Sequence, residues 1–433
     1  MKYERKIMIL ATVLSGLLLA GLLLVFGLEQ LGIHPFGPQA GESLSATPSI
    51  TTAESYSGAN DAGPTATVTP DPQAVSPSAT PTDGPAGTPV TGSTAAVHFL
   101  NVGEGSCTLI CSGQSAILID GGDAPTSAYV VSYLKKLGIQ KLDLVIATHY
   151  DSDHISGLVG VLMTIPVDLV LGPEGAGATK TYESFCEVIQ KKGIKRRNVK
   201  KNGEWLVLPD EVMVEFLPTA DPAEASGEDG ENGADSVSPE RDGRDSSLAM
   251  VVTVKGKTLL IMGDAEAAKE RRLAGNGCIS RVDIFVVNHH GSRYSNTSEL
   301  LAEARPEWAV ISCGENEYGH PAKECIDRLK SAGAKIFRTD VQGTIVLHLA
   351  GKEILCDVPA LQNPYAGPSE ETVVSRQDVP ENVTFILNGN SKVYHLPTCE
   401  SVSGEMHRNW FYFYGSAADA QALGYRPCGR CLK

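Results

Sequence analysis

The chain has 433 residues, 42% of them hydrophobic, and a formal net charge of −15. That length suggests two or three folded units with ample apolar content for a core. The acidic balance excludes a globally basic nucleic-acid-binding surface, but not a metal-dependent nuclease, whose bound cations supply local positive charge.

Lys2, Arg5 and Lys6 precede 22 uncharged positions, Ile7 to Leu28, enough for a helix to cross a bilayer of about 30 Å. The basic end predicts a cytoplasmic N-terminus. Residues 1–33 therefore read as a signal anchor, giving a single-pass cell-membrane protein with an extracellular catalytic part. A cleaved signal peptide and a secreted product are the alternative. Residues 34–94, rich in Ser, Thr, Pro, Ala and Gly, lack the apolar side chains that offset ordering entropy and are expected to form a disordered stalk.

From 95 to 360 short apolar runs alternate with helical patterns. VHFLNVG, CTLIC and SAILIDGG read as strands, SAYVVSYLKKLG as a helix stopped by glycine, and LDLVIATH as another strand. Residues 220–245, with nine acidic and two basic side chains, predict a solvated surface loop. LAMVVTV, KTLLIMGD, VDIFVVNHHG, WAVISCG and TIVLHL follow as strands, with LLAEARP and AKECIDRLKSAG as helices.

Ligand-type residues stand where these strands end: Asp120, then His149, Asp151, Asp153 and His154, then Asp264, the pair His289 and His290, and His320. Strand ends converge at one sheet edge. Taken singly, Asp120, Asp264 and His320 also suit turns or caps. Two imidazoles and two carboxylates within positions 149–154 are different, since they repel or desolvate one another unless a cation joins them. Imidazole and carboxylate donors without thiolate point to two divalent ions, Zn²⁺ or Mn²⁺, bridged by a carboxylate and a water. After HHG, the residues Ser292, Arg293, Ser295 and Asn296 are candidates to hold substrate phosphate oxygens, or a plain polar turn.

FLNVGEGSCTLI, ILIDGGD, THYDSDHISGL, SSLAMVV, LLIMGD, NHHGSRYS and YGHP occur in this order over about 250 residues. Together they resemble the metallo-β-lactamase fold, in particular the exported hydrolase domain of the competence protein ComEC and its stand-alone relatives. The resemblance implies an α/β, four-layer αββα sandwich. It implies His149 and Asp151 on one metal, Asp153 and His154 on the other, Asp264 as the bridging carboxylate, His290 or its neighbour His289 as a further ligand, and His320 as the last. Asp153 and Asp264 would then serve catalysis by holding the metal-bound water that attacks, and Asp120 would orient a ligand imidazole. The subgroup usually has DVGQGD where this chain has Asn101, Glu104 and Ser106, so one acidic group is missing near the first turn. Nothing after Leu28 is long and apolar enough to span a membrane.

Residues 361–382 read as a linker and 383–433 as a small module. His395 and Cys399 are four apart and Cys428 and Cys431 form a knuckle, a His/Cys₃ set for one structural zinc. The pattern resembles the zinc-binding module of the Ada DNA-repair protein. A Cys428–Cys431 disulfide with Cys399 free is the alternative. The aromatic run 410–414 is expected in the module's core, or else as a stacking surface. Cys107, Cys186, Cys278, Cys313 and Cys325, isolated in apolar segments, are expected to be buried free thiols.

The function expected is an exported, membrane-tethered binuclear hydrolase of phosphodiesters, with DNA or nucleotides as substrate. The alternatives are a phosphocholine-ester, lactone or β-lactam hydrolase at the cell surface, and a non-catalytic surface binding protein with a structural metal centre. The pattern fixes no oligomeric state.

Overall fold

The computed structural model describes residues 95–200, 203–218, 247–367, 382–402 and 410–432. The expected anchor and stalk and the acidic loop 220–245 lie outside them. None of the helices among the described residues is long and apolar enough to cross a membrane.

Alternation along the strands builds two sheets that share a core. The first sheet holds β1 (Ala95–Phe99), β2 (Thr108–Ser112), β3 (Ser115–Ile119), β4 (Leu144–Ile146), β5 (Leu169–Gly172), β6 (Lys195–Asn198), β14 (Ile345–Ala350) and β15 (Glu353–Cys356), in the order β15-β14-β1-β2-β3-β4-β5-β6. The second holds β7 (Glu204–Leu208), β8 (Val212–Phe216), β9 (Met250–Val254), β10 (Lys257–Ile261), β11 (Ile284–Val286), β12 (Trp308–Ile311) and β13 (Lys335–Arg338), in the order β13-β12-β11-β10-β9-β8-β7. Odd-numbered Ile117 and Ile119 of β3 meet Val252, Leu259 and Ile284 between the sheets, while Leu118 faces the opposite way. That is the period of two that a strand imposes on its side chains.

Helices cover both outer faces. On the first sheet α1 (Ser127–Lys136), α2 (Ser152–Thr164) and α3 (Lys180–Lys192) bury Val130, Leu134, Leu158, Val161 and Phe185 against Leu118 and Val145. On the second, α4 (Ala267–Gly275), α5 (Ser298–Ala304) and α6 (Lys323–Ser331) bury Leu273, Leu300 and Leu329 against Leu260 and Phe285. The layers therefore run helix, sheet, sheet, helix. Because β3 to β6 are mutually parallel, and likewise β10 to β13, the C-terminal ends of each set share one edge.

One close approach fixes α2 against that edge. A Cβ on Gly157 would stand 1.8 Å from the Gly121 carbonyl oxygen, and the Gly157 N–H instead donates to Gly122 O at 2.8 Å. Only glycine lets the helix lie this near the loop after β3.

The C-terminal module forms a third sheet, β18-β16-β17-β19, from β16 (Phe385–Asn388), β17 (Val393–His395), β18 (Trp410–Phe413) and β19 (Arg426–Pro427), with α7 (Ala417–Ala422) beside it. Phe385, Leu387, Tyr394, Phe413 and Tyr425 enter the same core as α1 and α2. The Ser132 hydroxyl donates to Tyr412 O at 3.0 Å and accepts from Tyr414 N at 3.1 Å. Of the aromatic run, Phe413 and Phe411 pack into this shared core while Trp410 and Tyr412 pack around Ile386, Cys399 and Cys428. Part of the expected linker is anchored rather than free: Leu361 N donates to Ile336 O, and Arg338 donates to the carbonyls of Pro364 and Ala366.

Candidate metal centre

Each element end brings a defined piece. His149 lies three residues beyond β4, Asp151 caps α2 without a side-chain capping bond, and Asp153 and His154 sit in that helix's first turn. Asp264 follows β10, and His289 and His290 follow β11. His149, His154, Asp264 and His290 are buried, whereas the Asp151 side chain is 49% exposed.

Asp264 is the pivot. Its Oδ1 lies 3.1 Å from His154 Nε2 and 3.7 Å from His290 Nε2, and its Oδ2 lies 3.8 Å from His149 Nε2 and 3.7 Å from His289 Nε2. Asp153 Oδ2 completes the first side, 3.6 Å from His154 Nε2 and 3.1 Å from His290 Nε2. Asp151 Oδ2 completes the second, 3.7 Å from His149 Nε2. One carboxylate thus turns an oxygen toward each of two donor sets. Donor atoms of Asp153, His154, Asp264 and His290 all fall within 4.8 Å of one another.

The alternation of a strand would send His289 and His290 to opposite faces. The structure brings both to Asp264 because β11 ends at Val286 and both histidines adopt the left-handed region, each with φ 52°. Such a conformation is costly for a side chain with a Cβ and persists where its surroundings hold it. Here the Glu270 carboxylate, fully buried, holds the loop: it accepts from Asn288 Nδ2 at 2.7 Å, Asn296 N at 2.6 Å and Thr297 N at 2.7 Å.

The imidazoles are oriented from behind. Asp120, buried and itself left-handed at φ 58°, accepts from His154 Nδ1 at 2.8 Å, Thr148 N at 2.8 Å and Thr148 Oγ1 at 2.7 Å. His290 Nδ1 donates to Ser312 O at 2.9 Å. Each bond fixes a tautomer and leaves Nε2 turned toward Asp264. Thr148, Ser312 and Glu270 carried no ligand signature in the sequence. Their roles depend on contacts made 18 to 28 residues away.

His320 stands one ring outside the tight set, its centroid 5.4 Å from His289 and 6.2 Å from His290. Its Nδ1 is bonded to Glu104 Oε1 at 2.8 Å, while Glu104 Oε2 accepts from Gly314 N at 3.1 Å. Glu104, which stands where the competence-type subgroup has the glutamine of DVGQGD, is thus the residue that aims His320.

The loop expected to hold phosphate is corrected in part. Ser292, Ser295 and Asn296 are buried. The Ser295 hydroxyl donates to Ala265 O at 2.8 Å and the Asn296 amide donates to Asn288 O at 3.0 Å, so these side chains build the histidine turn. Arg293 alone of the four faces solvent.

Charge in the cluster is unevenly shared. Burial, with His154 beside it, pushes His149 down to about 4. Burial also acts downward on His154, but Asp264, Asp120 and Asp153 outweigh it and hold that imidazole well above its usual range. In His290 burial is likewise overcome, by Asp264 and Asp153, to reach about 9. Burial would raise Asp153 and Asp264, yet the facing imidazoles hold both far below the usual carboxylate range. Asp153 and Asp264 thus favour positive charge between them. His149 Nε2, His154 Nε2 and Asp264 Oδ1 are buried without a hydrogen bond, the last two being close but poorly aligned. Buried polar atoms without partners are costly, and N and O donors of this kind fit divalent cations.

In the tail, His395, Cys399, Cys428 and Cys431 bring their ligand atoms within 4.8 Å of one another. All four are at least half-buried, and His395 Nδ1 has no hydrogen bond. The three thiols are free, with no Cys428–Cys431 disulfide. Cys399 and Cys428 Sγ are 4.0 Å apart, close to the roughly 3.8 Å expected of two thiolates on one tetrahedral zinc with bonds of about 2.3 Å. Of the remaining cysteines, Cys107, Cys313 and Cys325 are buried while Cys186 and Cys278 are half-buried.

Residues 100–315 match the metallo-beta-lactamase superfamily and residues 370–433 match the metal binding domain of Ada. Competence protein ComA of Neisseria gonorrhoeae is 30% identical over 254 residues, covering 58% of this chain and 32% of that protein. ComE operon protein 3 of Bacillus subtilis is 28% identical over 218 residues, 50% of this chain and 26% of its own length. Recombination protein 2 of Haemophilus influenzae is 26% identical over 255 residues, 58% and 28% respectively. The chain therefore spans about a third or less of these relatives. Among solved structures, the metallo-beta-lactamase fold protein YhfI from Bacillus subtilis aligns at 16% identity and a TM-score of 0.39, over 59% of this chain and all of that one. Through residues 100–315 the chain belongs to the metallo-beta-lactamase superfamily, as a homologue of these competence proteins, and it ends in an Ada-type zinc-binding domain.

Proposed function

We propose that this protein is an exported, membrane-tethered hydrolase that uses two divalent ions, Zn²⁺ or Mn²⁺, to cleave phosphodiester bonds of DNA. The observation that carries the reading is Asp264, whose two carboxylate oxygens face two separate donor sets. His149, Asp151 and His289 would hold one ion and Asp153, His154 and His290 the other, with Asp264 between them. Two ions so placed supply, when bound, a water that deprotonates near neutral pH and positive charge for the phosphoryl oxygens.

The chain's own residues do the rest. Asp120 and Ser312 O keep His154 and His290 turned inward. His320, its Nδ1–H committed to Glu104, would offer the Nε2 lone pair as the last ligand to an ion. Arg293, exposed beyond the histidine turn, would meet a substrate phosphate. What supports export and tethering is the uncharged run Ile7 to Leu28 behind Lys2, Arg5 and Lys6. What supports DNA is the homology to competence proteins.

The test assays the full chain with Mn²⁺ or Zn²⁺ on single-stranded DNA, bis-p-nitrophenyl phosphate, p-nitrophenyl phosphorylcholine and nitrocefin, beside His149→Ala/Asp153→Ala. Turnover of the first two that the double variant loses is the expected result. Turnover confined to phosphorylcholine or nitrocefin would overturn the substrate assignment, and no turnover would overturn the enzyme.

A further inference from the structure

Residues 191–201 hold seven lysines and arginines and no acid, in a chain of net charge −15. They cover the last turn of α3, its left-handed cap Gly193, and β6, the edge strand of the first sheet. Lys191, Lys195 and Lys200 are exposed and make no ion pair among the described residues. Their neighbours are engaged: Arg197 pairs with Glu204, Lys192 Nζ donates to Met163 O at 2.6 Å, and Arg196 lies over the rings of Tyr150, Tyr182 and Phe185.

The track leads to the donor cluster. Ala147 N donates to Leu171 O and Val199 N to Gly172 O, both at 2.9 Å. His149 and Lys200 therefore leave the same sheet edge two strand spacings apart, roughly 10 Å. Lys195 opens β6 at the far end, about 16 Å from Lys200 along an extended chain. Beyond the turn, where Gly203 N donates to Lys200 O at 3.0 Å, comes Trp205 of β7. Its side chain is 69% exposed while Leu206 and Leu208 pack toward the core between the sheets.

Free ammonium groups and an aromatic ring left in water along one edge of the sandwich, where β6 and β7 end their sheets, match the needs of single-stranded nucleic acid, cations for its phosphates and a ring face for its bases. A lipid surface or an anionic wall polymer would use the charges and offer no base to the ring. We infer that Lys191, Lys195, Lys200 and Trp205 form a track that binds single-stranded nucleic acid and feeds it to the metal centre. This inference rests on the phosphodiester reading and places the polymer on the protein.

The experiment titrates labelled oligo-dT with the full chain across a salt series. Lys195→Glu/Lys200→Glu should weaken binding about tenfold or more and flatten the log–log salt dependence by about 1.4, at about 0.7 per phosphate contact. Trp205→Ala should weaken binding about tenfold with the salt slope unchanged, as loss of stacking does. Thermal melts exclude misfolding, and Lys195→Gln/Lys200→Gln replaces the glutamate pair if that pair melts early. Unchanged affinity in both variants overturns the track. So does displacement of oligo-dT by phosphatidylglycerol vesicles or polyglycerol phosphate at equal phosphate concentration. Turnover of bis-p-nitrophenyl phosphate by the wild-type chain is scored separately: its absence sinks the phosphodiester reading, whereas binding alone judges the track.

Discussion

Asp120→Asn separates orientation of the metal centre from its composition, because it leaves every proposed ligand in place. Asp120 spends Oδ1 on the Thr148 N–H, and Oδ2 on both the Thr148 hydroxyl and His154 Nδ1. An asparagine can keep the first bond, and it tolerates the φ of 58° found here. It then presents N–H groups to His154 Nδ1, which must become an acceptor. The ring proton moves to Nε2, the atom facing Asp264 at 3.1 Å, and that nitrogen can no longer bind a cation. Loss of such a supporting carboxylate typically weakens metal affinity 10- to 100-fold, or about 1.4–2.7 kcal/mol. Competition with a chelator of known affinity, on the full chain, should show one ion weakened by that factor. Wild-type affinity for both ions would refute the argument that Asp120 acts through the His154 tautomer.

Gly157→Ala should weaken the same ion without touching a donor, since the new Cβ would meet the Gly121 carbonyl oxygen at 1.8 Å. About 1–3 kcal/mol of stability should be lost, and an unchanged denaturation midpoint would show that α2 has room. Burial, with His348 adding to it, pushes His98 down to about 4 from 6.5, so the folded chain binds fewer protons than the unfolded one between these values. Stability from this group is full above about pH 6.5 and falls as pH drops toward 4, by on the order of 3 kcal/mol. His98→Asn should remove that part of the acid slope, and parallel stability–pH curves for variant and wild type would contradict it. Cys428→Ser should lower zinc content by about one ion per chain and lower the melting temperature, with metal analysis and calorimetry as the checks. Retention of all zinc would mean that the four tail residues do not share an ion.

The donors at strand ends were legible because buried strands write themselves as short apolar runs and the residue after each run must leave the core. KTLLIMGD and LDLVIATH announce Asp264 and His149 in this way. The pair NHHG was ambiguous because its geometry is set by two left-handed residues, held by a glutamate 18 residues upstream. Ser295 and Asn296 look solvent-facing in a polar string, and only the carbonyl groups of Ala265 and Asn288 draw them inward. The edge hairpin β7–β8 was hidden differently. Leu206, Leu208, Val212, Val214 and Phe216 alternate properly, but charged residues interrupt them and the basic run before them suggests surface.

The tail's packing limits what can be removed from this chain. Phe385, Leu387, Tyr394, Phe413 and Tyr425 complete a core begun by α1 and α2, and Leu423 approaches Gly160 so closely that a Cβ there would lie 2.7 Å from its Cδ2. A chain cut before residue 383 would lose a roof along with its zinc module, leaving an apolar patch open to water and self-association. Lost DNA binding in such a truncation would report an unroofed helix layer. The tail's part in any activity is reached by single substitutions on its outer face.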